Sequence, residues 1–166
     1  MKLLITCGVA AVALAAASSA FAETGNGSVT VIRPLTVTKN DDLAFGTVVR
    51  PTSGSGSVGV STAGVASYSG GVANVTSGGG QAPARFTIDG EGGQAISVSV
   101  DPTFTISGSA GNLTVTTTND FDSLPLSGSL GGSGSKTVKV GGSVPITSTT
   151  GTGAYTGAFN VTASYN

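Results

Sequence analysis

The sequence predicts an all-β, antiparallel fold, and three observations predict it. Side chains alternate apolar and polar with period two; at the end of the chain Phe159, Val161, Ala163 and Tyr165 interleave with Asn160, Thr162 and Ser164. These runs are short and recur at roughly 8–12 residues between Gly, Ser, Asn and Asp, the spacing of a sandwich or barrel. No stretch has helical periodicity or a capped helix start. The 27 glycines and abundant Ser and Thr would also suit disorder, but only 9% of residues are charged and 39% are hydrophobic. A disordered chain carries the opposite balance.

Taken in order, residues 1–22 read as a secretory signal peptide. Lys2 precedes the apolar stretch Leu3–Ala16, and Ala20-Phe21-Ala22 offers a small-x-small cleavage site before Glu23. Residues 23–33 form an arm in which Gly25, Gly27, Val29 and Val31 share one face against Ser28 and Thr30. Pro34, which has no N–H for a ladder, ends it. Residues 34–166 form one domain. Its expected strands are 35–38, 43–49, 57–62, 84–89, 95–100, 103–107, 112–118, 136–140 and 143–148, then the closing run. The region 65–80 is read as a hairpin. No repeat of fixed length appears, so a solenoid is the weaker architecture.

The composition excludes most chemistry. There is no histidine, and Cys7 lies inside the signal peptide, so the expected mature chain has neither the usual general base nor a thiol. Loss of Lys2 takes the formal net charge from −1 to −2, which leaves no basic surface for nucleic acid. "GSGSVG" at 54–59 matches a nucleotide-loop pattern in letters only, because no helix opens after it. Asp41, Asp42, Asp89, Glu91, Asp120 and Asp122 sit in predicted loops without the spacing of a calcium loop, and we read them as turn residues. With 5% aromatics and no Trp, a sugar-cleaving cleft has little to stack on its substrate. The expectation is a non-enzyme without cofactor or metal.

The two ends carry a resemblance. The alternating arm is followed by Leu43-Ala44-Phe45-Gly46, and the chain closes on G-x-Y-x-G-x-F-x-V-T-x-x-Y from Gly153 to Tyr165. That tyrosine is penultimate and Gly153 is fourteenth from the end. In these features the chain resembles pilins of the chaperone–usher pathway. It is most similar to their spore-coat-U-like, archaic branch and to a neighbouring bacterial family labelled a domain of unknown function. It departs from that branch in lacking a mature cysteine near the first strand.

The resemblance implies an immunoglobulin-like antiparallel β-sandwich lacking one strand, completed by donor-strand addition. Gly27, Val29 and Val31 would belong to the donor arm; Gly153, Phe159, Val161 and Tyr165 would belong to the acceptor edge. The implied partners are a periplasmic chaperone, an outer-membrane usher and further copies of the same or related subunits. The implied location is the periplasm and then the cell surface or exterior. A self-contained secreted β-sandwich that binds glycan or another surface ligand is the alternative. The two differ in whether residues 23–32 pack on their own domain.

Overall fold

Alternation becomes strand along about half of the described residues. In this computed structural model, residues 21–75, 80–121 and 124–166 are described. The signal-peptide reading therefore falls, except for Phe21 and Ala22, outside the described residues. One unit ends at Thr30 and a second spans Val31–Asn166. In the first, residues 21–30 carry no strand and Val29 is 85% exposed.

The second unit is all-β and antiparallel, with no helix among the described residues. Its strands are β1 (Thr36–Asp41), β2 (Ala44–Phe45), β3 (Val48–Val49), β4 (Ser55–Val60), β5 (Ala66–Ser69), β6 (Ala73–Asn74) and β7 (Gln81–Ala82). They continue as β8 (Ala84–Glu91), β9 (Ala95–Val100), β10 (Thr103–Gly108), β11 (Gly111–Asn119), β12 (Leu124–Pro125), β13 (Ser133–Thr147) and β14 (Val161–Tyr165).

The larger sheet runs β1-β8-β13-β11-β10, with β4 on β13 and β5 on β4. The smaller runs β12-β9-β14. Between β8 and β9 the chain changes sheet at Gly92-Gly93, where Gly93 takes φ 71°, a conformation that suits glycine. At Asp101-Pro102 it changes back into β10. The C-terminal segment follows both strands: Thr156 pairs with Ser107 of β10, and β14 pairs with β9 from Val161↔Val100 to Tyr165↔Ile96.

Two apolar clusters result. Between the sheets, Phe86 and Ile88 of β8 and Val138 and Val140 of β13 meet Ile96 and Leu126, with Phe159, Val161, Ala163 and Tyr165 packed against them. In the curl of the larger sheet, Val58, Val72, Val115, Val144 and Ile146 form a second cluster under Leu43, Phe45 and Val48.

Three expectations are corrected. The strands expected at 136–140 and 143–148 are one strand, β13. Gly141-Gly142 does not break it, because β4 and β11 flank it there. A Cβ on Gly141 would overlap the Val60 carbonyl, so this glycine serves close packing and not a turn. The hairpin expected at 65–80 does not form among the described residues. Its first half, β5, pairs with β4, while β6 and β7 pair with β3 and β2. The stretch 43–49 is likewise split into β2 and β3 at Gly46, which takes φ 67°. The "GSGSVG" stretch runs into β4, a strand and not a phosphate-binding turn.

Candidate functional site

The chain on either side of the second cluster forms two walls. One is the segment 43–50, whose outer edge is paired through β2 with β7 and through β3 with β6. The other is the segment 150–159, held on its outer side by the Ser107–Thr156 pair, with N–H···O distances of 2.7 and 3.0 Å. The Asp101 carboxylate also accepts the backbone N–H of Asn160 at 2.9 Å. Glycine lets the second wall lie directly on β10. A Cβ on Gly157 would overlap the Thr105 carbonyl, and one on Gly108 would overlap that of Ala154.

Between the walls is a groove of about 960 Å³. Its floor includes Phe104 and Ile106 of β10, Val144 and Ile146 of β13, and Phe86. Phe159 crosses one end, its ring centroid 4.9 Å from Phe104 and 6.0 Å, edge-on, from Phe86. At the other end Arg50 donates from Nη1 to the Thr150 carbonyl at 2.6 Å. Among the described residues no backbone hydrogen bond joins the walls. Arg50 meets Thr150, while Leu43 and Phe159 both pack against the first cluster, so the walls run antiparallel. A strand laid between them would be antiparallel to one and parallel to the other. Apolar floor and flanking peptide edges are what an extended peptide needs: pockets for alternate side chains and ladder partners for its backbone.

Of the residues singled out in the sequence, Gly153 and Phe159 line this groove. Gly153 takes φ 146°, reached readily only by glycine. Val161 and Tyr165 turn inward between the sheets instead. The other edge of β14 has no strand beside it among the described residues. Val31 is 84% exposed; Gly27 and Val29 belong to the first unit.

Tyr165 makes a contact that no sequence pattern announced. Its hydroxyl accepts the Glu91 N–H at 2.6 Å and donates to the Arg33 carbonyl at 2.8 Å. Glu91, 3% exposed, turns its carboxylate to the N–H groups of Arg33, at 3.2 Å, and Gly131. The Gly131 bond, assisted by that of Arg33 and by the guanidinium charge, holds this carboxyl below the usual glutamate range against the opposing effect of burial. The sequence had suggested only a turn at Glu91. The missed signal is Gly90: a Cβ there would overlap the Tyr165 hydroxyl. The other acids expected in loops are partly corrected: Asp41 ends β1 and Asp89 lies within β8, as Glu91 does, while Asp122 falls outside the described residues. Asp42 pairs with Lys39 at 2.6 Å and Asp41 with Arg85 at 3.3 Å, both exposed and worth little. Asp120 accepts the Lys139 N–H at 2.7 Å.

Fold and site together define a class: an antiparallel all-β domain with an apolar groove left open between its N-proximal and C-terminal segments. The chain belongs to the family described as domain of unknown function (DUF4402), which it matches over residues 35–165. The match takes in all fourteen strands and leaves out the arm. Searches of the curated proteins and of the solved structures each found no match.

Proposed function

We propose that this chain is a structural subunit of a bacterial surface fibre, exported to the periplasm and polymerised by strand donation. Residues 23–32 of one copy would enter the groove of the next, after a chaperone has occupied it and with an usher guiding release. The observation that carries this reading is the groove, whose two walls share no backbone bond along an apolar floor. The arm supplies the complement in sequence: a period-two run whose Val31 is exposed to solvent. Each valine buried there contributes roughly 1.5–3 kcal/mol, and each ladder bond roughly 0.5–1.5 kcal/mol.

Geometry within the domain favours an open chain of copies. Arg33 is held at the Tyr165 end of β14, and β1 then leads away from it to Leu43 and the groove. The six residues of β1, roughly 20 Å of extended chain, lie between Arg33 and Leu43. Donor root and acceptor groove therefore lie at opposite ends, which suits a head-to-tail contact that does not close on itself.

The test is complementation with a synthetic peptide of residues 23–33. At a hundredfold excess over its dissociation constant, a peptide that binds only the folded domain stabilises it by about 2.7 kcal/mol. The melting midpoint should rise by about 10 °C. A scrambled peptide should leave it unchanged. No shift with the native peptide, together with no polymer when chaperone and usher are supplied, would remove the reading.

A further inference from the structure

Both backbone groups of Arg33 are held by side chains, its N–H by the buried Glu91 and its carbonyl by the half-buried Tyr165. The two side chains are themselves joined, since the Glu91 N–H donates to the Tyr165 hydroxyl. The site is closely built: the Leu35 side chain and the Tyr165 hydroxyl occupy the space that a Cβ on Gly90 would need, and Gly131 donates to the far side of the Glu91 carboxylate. Keeping a charge at 3% exposure is costly unless its acceptors are used. Here two backbone N–H groups use them, one from the 131 loop and one from the residue just before Pro34.

We propose that Glu91 and Tyr165 are positioning residues, which pin Arg33 and so fix the point from which the preceding residues reach a neighbouring copy. This rests on the strand-donation reading. Pro34 strengthens the effect, because proline fixes its own φ and restricts the residue before it. Pinning Arg33 therefore sets the direction of the chain as well as its position. A free root would add the disorder of several more residues to the entropy lost on docking.

The test places a nitroxide label at position 32 by Ile32→Cys in the exported full-length chain; Ile32 is 39% exposed and Cys7 lies in the expected signal peptide. The label should move slowly in the otherwise native chain, and several-fold faster after Tyr165→Phe or Glu91→Gln. Both variants should bind the 23–33 peptide as tightly as the parent, yet extend polymers about tenfold more slowly, the scale of one or two lost hydrogen bonds. Equal label mobility in all three proteins would overturn the proposal, as would weakened peptide binding in both variants, which would place the effect in the groove. A label that reports the pinned root in a parent chain that neither binds peptide nor polymerises would uphold the clamp and overturn strand donation. Glu91→Gln leaves the Tyr165 hydroxyl in place, so it serves if Tyr165→Phe fails to fold.

Discussion

Val31→Asp separates the stability of the domain from the strand donation proposed for it. Val31 is 84% exposed, so in the isolated chain the new carboxylate remains in water. An exposed substitution away from special features changes stability by about 0.5 kcal/mol or less, and the melting midpoint should stay within about 2 °C of the parent. In a neighbour's groove the same side chain would face a floor of the kind formed by Phe104, Ile106, Val144 and Ile146. The variant would forfeit the roughly 1.5–3 kcal/mol of valine burial and add several kcal/mol for an unpaired buried carboxylate. A combined penalty of at least about 4 kcal/mol weakens donation roughly a thousandfold. Two assays read this out: thermal unfolding of the monomer, and fibre growth by electron microscopy with chaperone and usher present. Polymerisation at the parental rate would refute the reasoning. So would a midpoint lowered by more than about 5 °C, because Val31 would then be part of its own domain's core.

Two further outcomes concern the domain alone. Phe159→Ala removes a half-buried ring in contact with Phe86 and Phe104; it should cost about 2–4 kcal/mol, read as a fall in the urea midpoint, and a Phe104→Leu background should reduce that cost. The depressed carboxyl of Glu91 contributes stability at pH values above the ordinary glutamate range, and that contribution is lost as pH falls through its lowered folded-state value. Urea titrations across the acid range should therefore show a steeper decline in the parent than in Glu91→Gln.

The strands were largely legible because most are half-buried, and burial on one face writes itself as period two. Residues 95–100 and 161–165 show this directly. Glycine was harder to interpret. Gly46 ends a strand by its conformation, whereas Gly141 and Gly157 lie inside packed segments because a neighbouring backbone leaves no room for a Cβ. A string of letters does not distinguish a glycine chosen for φ from one chosen for volume. Pairing partners were hidden as well. Residues 65–80 look like a local hairpin, but β5 and β6 pair with β4 and β3, which come earlier in the chain. Gly153 and Phe159, singled out by the end motif, line the groove. The 43–50 wall was noticed as an L-x-F-G element without its role, and the Glu91–Arg33 contact spans 58 residues of sequence with no periodic trace.

The fifteen residues of β13 belong to both apolar clusters: Val138 and Val140 to the one between the sheets, Val144 and Ile146 to the one beneath the groove. Neither cluster can come apart without loosening a strand that the other also grips, so the domain has no natural seam along which half of it could open alone. Cooperativity of this kind spreads any local gain. A ligand settling over Val144 and Ile146 would slow the exchange of amide hydrogens on β8 as well, although β8's main ladder lies on the opposite half of the strand. Stability gained at the groove would thus be held by the whole sheet, through one continuous length of backbone.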